Sequence, residues 1–303
     1  MSTILIIPDI HNRVELAEKI LKAHEHSVDY AVLLGDYFDD FFDTVGDAAR
    51  TAAWLKESLQ HPKRIHLIGN HDINYMKPDN GQRCAGFAEG KKNIINSILS
   101  LEDWAKLKWF HHEPEGNWLF THAGAQLDIL PEFNLEVAPL DVLKFAVKNA
   151  GRALARKASH PLLEAGFSRG GGQARGGIIW LDWSEFTPPK NGRGFNQVFG
   201  HTPRATPQVC FRAEGIVVAI PLEDLATHVF QPTPATLMAY NLDTHLRHYA
   251  IITGNKLAIH ASPPSPPKRR KNQPGSFMFS QEGAGERQVP LVETGEIGCR
   301  GWI

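Results

Sequence analysis

The sequence predicts an α/β protein, and three observations point there. Apolar runs of strand length alternate with amphipathic stretches of helix length, the order expected of βαβ units. Each of the first runs breaks off into polar residues, as strands of an open sheet do at the edge where ligands bind. Finally, 303 residues with 42% hydrophobic and 21% charged content suffice for a large core.

Thr3 to Pro8 is continuously apolar and rich in β-branched residues, so it reads as a central strand buried on both faces. Asp9-Ile10-His11 follows, and residues two apart in extended chain point the same way, so Asp9 and His11 can present an oxygen and a nitrogen to one point. Asn12 to His26 carries Val14, Leu16, Ile20 and Leu21 at helical spacing. Tyr30 to Leu34 is the second strand. Gly35 lets the chain leave the sheet, and Asp36 heads a carboxylate cluster with Asp39 and Asp40. Asp47 to Gln60 reads as a second helix, and Arg64 to Ile68 as a third strand ending in Gly69-Asn70-His71-Asp72.

A single helix is predicted from Asn93 to Leu107. A hairpin turned at Glu113 to Asn117 follows, its second strand ending in Thr121-His122-Ala123-Gly124. His111 and His112, at its far end, are expected to be solvated. An insert from 125 to 177 contains a helix over Leu140 to Val147 and the glycine-rich stretch Arg169 to Gly177. That stretch lacks the Gly-Lys-Ser/Thr ending of a phosphate-binding loop and reads as a lid or flexible connector. Arg169 and Arg175 are candidates for bidentate phosphate binding. Gln197 to Phe199 is a strand ending in Gly200-His201-Thr202-Pro203, Cys210 to Tyr240 reads as loops and edge strands, and a hairpin turned at Gly254-Asn255 closes a domain spanning 1–260. From Ala261 on, prolines and the run Lys268-Arg269-Arg270-Lys271 predict a disordered tail to 303, whose basic run offers a segment to an acidic partner.

A net charge of −1 argues against nucleic acid, and no apolar run approaches the ~20 residues of a membrane span. The three cysteines, Cys84, Cys210 and Cys299, show no metal or redox spacing and read as buried small residues in a reducing compartment; a cytoplasmic protein is expected.

Collected, the strand ends supply Asp9, His11, Asp36, Asn70, His122 and His201, with Asp39 and His71 beside them. Oxygen and imidazole donors without a thiolate suit manganese, iron, zinc or magnesium. The set exceeds what one tetrahedral ion needs, and a carboxylate can bridge, so two divalent ions about 3.5–4 Å apart are expected, with Asp36 between them.

The order Asp-x-His, Gly-Asp-x-x-Asp, Gly-Asn-His-Asp, His-Ala-Gly and Gly-His-Thr, over residues 9 to 203, resembles the calcineurin-like metallophosphoesterases. The resemblance implies a two-sheet β-sandwich flanked by helices. It also implies that Asp9, His11 and Asp36 hold one ion and Asp36, Asn70, His122 and His201 the other, manganese being the first choice. His71 would be the general acid, oriented by Asp39. The implied activity is hydrolysis of a phosphorylated substrate, a phosphomonoester of a protein or small molecule, by a metal-activated hydroxide. Thr202-Pro203 after His201 and the Trp180-Leu181-Asp182 motif bring the chain nearer the phosphoprotein-phosphatase branch. Asp40 and Ile68, however, stand where that branch has two phosphate-gripping arginines. Arg13, Arg169 and Arg175 are the replacements at hand. Loss of those arginines makes a phosphodiesterase or dinucleoside polyphosphate hydrolase the second reading. A catalytically inactive binding scaffold is the third.

Overall fold

The chain begins β1 (Thr3–Ile7), α1 (Val14–His24), β2 (Tyr30–Leu33), α2 (Val45–Ser58) and β3 (Arg64–His66), and the three strands are parallel neighbours. Side chains alternate along them. Ile4 and Ile6 face a core shared with the other sheet, while Leu5 and Ile7 pack with Leu16, Ile20 and Leu55 of α1 and α2. Then come α3 (Asn70–Ile73), α4 (Glu89–Ile98), α5 (Leu101–Lys106), β4 (Phe110–Glu113), β5 (Trp118–Thr121), α6 (Pro139–Ala155) and β6 (Asn196–Phe199). The remaining strands are β7 (Gln208–Ala213), β8 (Ile216–Pro221), β9 (Val229–Phe230), β10 (Met238–Asn241), β11 (His248–Thr253) and β12 (Lys256–Ala261). The computed structural model describes residues 1–264 apart from 78, 80, 190–192, 214–215, 223–228 and 231–235; the predicted tail with its basic run, and Cys299, lie outside the described residues.

Two mixed six-stranded sheets result, ordered β3-β2-β1-β11-β12-β9 and β4-β5-β6-β10-β7-β8. Ile6, Val32 and Ile252 of the first meet Trp118, Phe120, Val198 and Tyr240 of the second in one fully buried cluster, which makes a sandwich with helices outside. The polar strand ends therefore come from both sheets: β1, β2 and β3 run parallel in one, β5, β6 and β10 in the other.

Several expectations are corrected. The helix over 93–107 is two helices, because Ser100 and Asp103 form a reciprocal capping box that starts α5 afresh. The 210–240 region is not only loops and edges, since β7 and β10 are interior strands. Around the glycine-rich stretch, Glu185 accepts hydrogen bonds from the amides of Ser168 (2.7 Å) and Gly176 (2.8 Å). His111 is half-buried rather than solvated, with Nε2 3.1 Å from the Tyr30 hydroxyl and the ring stacked on Phe120; burial, then Lys108, pushes it down to about 4. His112 is also half-buried, with Nε2 3.1 Å from Asn117 Oδ1. Among the described residues no helix is long and apolar enough to cross a membrane.

Candidate metal centre

The exits of β2 and β3 are tied together by a residue the strand-end pattern did not single out. Asp72, fully buried, accepts hydrogen bonds from the amides of Asp36, Tyr37 and Gly69, each at 2.8 Å. The His71 amide in turn donates to Asp36 Oδ1 at 2.9 Å. The packing leaves no room for a side chain: a Cβ on Gly69 would lie 2.1 Å from Asp36 Oδ1, and one on Gly200 1.8 Å from Asp9 Oδ1. His11, Asp36, Asp39 and His201 all have left-handed backbone, with φ of 44°, 50°, 61° and 70°. Such conformations are uncommon outside glycine and persist where the surroundings over-determine them.

The ring protons can be assigned from the carbonyls around them. His11 Nδ1 lies 2.6 Å from the Asp39 carbonyl oxygen, and His122 Nδ1 3.0 Å from that of Leu34, so each Nδ1–H donates outward and each Nε2 lone pair points inward. His11 Nε2 faces Asp9 Oδ2 at 4.0 Å and Asp36 Oδ2 at 3.8 Å. His122 Nε2 lies 3.0 Å from Asn70 Oδ1, 3.2 Å from His201 Nδ1 and 3.4 Å from Asp36 Oδ2. His201 Nδ1 is 2.9 Å from the same Asn70 oxygen. Electron pairs thus converge from every side, and a cation is what reconciles them. The donors form two groups within 4.8 Å, Asp9–His11–Asp36 and Asp36–His122–His201, and Asp36 belongs to both.

The charges agree. Asp9, Asp36, Asp72 and Asp243 are all buried, and one oxygen of Asp243 has no hydrogen-bond partner among the described residues. Burial, then Asp243, pushes the Asp9 carboxyl well up. Burial also opposes ionisation of Asp36, but His122, His71 and His11 outweigh it and hold that carboxyl well below the usual range. His122 is pushed down by burial yet raised to about 9 by Asp36 and Asp9, whereas burial and Arg169 drive His201 well down. This is a buried cluster with surplus negative charge, a fit for divalent ions.

The calcineurin-like phosphoesterase family matches residues 2–207. The chain belongs to that family. A comparison with curated proteins finds no match. Among solved structures, the chain is similar to a metallophosphoesterase from Sphaerobacter thermophilus at 14% identity, covering 86% of this chain and 88% of that one with a TM-score of 0.45. A serine/threonine phosphatase from Saccharomyces cerevisiae with similarity to human PP5 matches at 11% identity, covering 86% and 79%, TM-score 0.42. The phosphoesterase YfcE from E. coli matches at 13%, covering 86% and 92%, TM-score 0.35.

Beside these two donor groups lies a second cluster. His71 Nδ1 is 3.1 Å from Asp39 Oδ2, and Asp39 Oδ1 accepts from the Tyr75 hydroxyl at 2.6 Å and Lys91 Nζ at 2.9 Å. Lys91 is buried and also reaches Asp43 at 2.6 Å. Burial raises the Asp39 carboxyl, but His71, Tyr75 and Lys91 outweigh it and lower it overall. Burial opposes a charged His71, yet Asp36 and Asp39 raise its pKa well above the ordinary value. Cys84, expected to be a buried filler, is only half-buried, and its sulfur lies 3.5 Å from His71 Nδ1.

The arginines divide. Arg169 is held by Asp182 at 2.8 Å and donates to the His201 carbonyl and Thr202 hydroxyl, both at 3.2 Å, while Trp180 stands edge-on to the His201 ring. The Trp180-Leu181-Asp182 motif thus supports the loop carrying His201. Arg13 donates to the His245 carbonyl at 2.7 Å and lies 3.8 Å from Asp40. Arg175 is not brought to this cluster; it pairs with Asp128 at 3.0 Å and Gln126 at 2.9 Å and lines a separate cavity with Phe133 and Val142. Asp243 was missed although a signal existed, because Asn241-Leu242-Asp243 is a sixth polar strand end, leaving β10 parallel to β6. Lys91 and Tyr75 gave no such signal.

Proposed function

We propose that the protein is a phosphomonoesterase dependent on two divalent ions, acting on a phosphorylated protein or small molecule. The observation that carries this is Asp36, whose carboxylate belongs to two donor groups while its other contact is the amide of His71. Manganese is the first choice, because the two groups offer oxygen and imidazole nitrogen and no thiolate. When bound, the ions would supply the positive charge that neutralises phosphoryl oxygens and would acidify a water toward a pKa of about 7. The chain's own residues do the rest. Asp9, His11 and Asp36 hold one ion, and Asp36, Asn70, His122 and His201 the other. His71 keeps Nδ1 on Asp39 and delivers a proton from Nε2 to the leaving oxygen. Arg169, fixed by Asp182, turns its remaining N–H groups to a phosphoryl oxygen, and Arg13 is a second candidate for that contact.

One observation favours a second reading. Asp40 lies beside Arg13 and adds negative charge near the site, which suits a scissile phosphate with one negative charge, as in a phosphodiester or a dinucleoside polyphosphate, better than the dianionic group of a monoester. Hydrolysis of para-nitrophenyl phosphate beside bis-para-nitrophenyl phosphate, with manganese and again with chelator, separates the two. Chelator-sensitive monoester cleavage is expected to dominate; dominant diester cleavage transfers the assignment. Absence of both activities with manganese bound would defeat the hydrolase reading. We place the enzyme in the cytoplasm, with the basic run beyond residue 264 as the segment for an acidic partner.

A further inference from the structure

We propose that Asp39, His71 and Cys84 form a third metal site, an inhibitory one that takes a thiophilic divalent cation such as zinc. The three donors already stand at coordination spacing. His71 Nδ1 is 3.1 Å from Asp39 Oδ2 and 3.5 Å from Cys84 Sγ, and the three lie within 4.8 Å of one another. Zinc bond lengths of about 2.0–2.1 Å to nitrogen, 2.0–2.2 Å to oxygen and 2.3 Å to sulfur give tetrahedral edges of about 3.3 Å (N to O) and about 3.5 Å (N to S). The nitrogen-to-oxygen and nitrogen-to-sulfur separations lie within a few tenths of an ångström of those edges.

The surroundings fix each donor. Asp39 spends one oxygen on Tyr75 and Lys91, which leaves Oδ2 facing His71. The Cys84 sulfur accepts from the Asn74 side-chain amide and lies 3.6 Å from the Asn70 carbonyl oxygen. The His71 side chain is 21% exposed and Cys84 half-buried, so a cation has access from solvent. The thiolate separates this site from the strand-end groups, which contain none: it selects a softer metal than manganese. Coordination forms a metal–sulfur and a metal–nitrogen bond, and the protons of Sγ and Nδ1 leave to solvent.

The inhibitory consequence rests on the reading of His71 as proton donor. A cation on Nδ1 takes the lone pair, breaks the hydrogen bond to Asp39 and prevents the ring from becoming imidazolium, so the leaving oxygen loses its proton source while both strand-end groups stay filled.

The test uses the full-length protein loaded with manganese. Cadmium or cobalt is added as a spectroscopic substitute for zinc, and sulfur-to-metal charge-transfer absorption is recorded. A band saturating at one further equivalent is expected, and it should vanish in Cys84→Ala. Cys84→Ser, which keeps the hydrogen bond from Asn74, should weaken binding by about 10–100-fold or more, so the test does not hang on one variant. Zinc should inhibit each protein relative to its own uninhibited rate, at far lower concentration in the wild type, and most with alkyl phosphates that need a proton donor. No thiolate band in the wild type overturns the site whatever the activity does. Equal zinc inhibition of wild type and Cys84→Ala overturns it as well, because that pattern means metal replacement in the strand-end groups. A Cys84-dependent band with turnover unchanged overturns the inhibitory role and the assignment of His71 with it, while the hydrolase reading is judged separately by manganese dependence.

Discussion

Two clusters of aspartate and histidine lie side by side in this protein and are built to opposite ends. In the strand-end cluster, Asp9 and Asp36 are joined by Asp72 and Asp243, and no lysine or arginine among the described residues pairs with Asp9 or Asp36. In the neighbouring cluster Asp39 is shared between Lys91, Tyr75 and His71, and Lys91 also reaches Asp43. The first has negative charge to spare and its imidazole lone pairs point inward, so it calls for metal. The second is balanced by a lysine and keeps a proton between Asp39 and His71, so it is suited to moving that proton. Aspartate and histidine are common to both; the supply of cations, and the Cys84 sulfur beside His71, set them apart.

The comparison breaks most completely at Asp36, the residue common to both metal groups. Asp36→Asn keeps the shape but removes the shared charge, and turnover should fall by on the order of 10³-fold or more, as expected when several kcal/mol of metal-centred stabilisation is lost. Circular dichroism should be unchanged and bound manganese should drop below two per chain. Retained activity would show that the two groups do not act as a pair.

His71→Asn tests the other cluster. A general acid contributes about 10²–10⁴-fold, so the variant should lose that much with alkyl phosphates and far less with para-nitrophenyl phosphate, while manganese content stays at the wild-type level. A uniform loss accompanied by lost metal would move His71 into the first cluster.

The two clusters also differ in how far the chain itself announces them. Asp9, His11, Asp36, Asn70, His122 and His201 were legible because strand ends of parallel sheets are forced to one edge, whatever their distance in sequence. Asp243 obeyed the same rule, and only the mistaken expectation of loops and edge strands around β10 hid it. Lys91, Tyr75 and Cys84, the partners of Asp39 and His71, follow no such rule. Lys91 reaches Asp39 from α4, across a chain segment whose path depends on packing, and a lysine in an amphipathic helix ordinarily faces water. Cys84 was illegible for the same reason. Nor did sequence pattern reveal the left-handed backbone at His11, Asp36 and His201, or the close approach of Gly69 to Asp36 and of Gly200 to Asp9, which depends on how the strands pack.

Lys91 therefore offers a finer test. It touches no reacting atom in the proposed mechanism, so it is a positioning residue acting through Asp39. Lys91→Met leaves Asp39 and Asp43 without their shared cation, and breaking such a buried pair destabilises by about 3–5 kcal/mol, which a urea transition would record. Turnover should fall by about 10–100-fold, the range typical of supporting partners. The decisive readout is the leaving group: a loss that deepens with poor leaving groups, as in His71→Asn, marks positioning, whereas an even loss marks general damage.

The smallest effect concerns a histidine outside both clusters. His66 is as buried as His122, but its Nδ1 meets the Tyr37 hydroxyl and its Nε2 the Ser58 hydroxyl, each at 3.0 Å, instead of carboxylates. Burial, with Arg64 nearby, therefore pushes it down to about 3, while Asp36 and Asp9 lift His122 to about 9. The sign of the linkage follows. Below the unfolded pKa of about 6.5 the unfolded chain binds a proton that the native His66 refuses, so stability is lost as pH falls, by up to about 1.4 kcal/mol per pH unit until about pH 3. His66→Gln removes that dependence while lowering stability at neutral pH. The difference in unfolding free energy between wild type and variant should accordingly narrow by about 2 kcal/mol or more between pH 6.5 and pH 4.5. A difference that stays constant over that interval would mean that His66 takes up its proton in the native state, and that burial among hydroxyl partners does not hold this imidazole neutral.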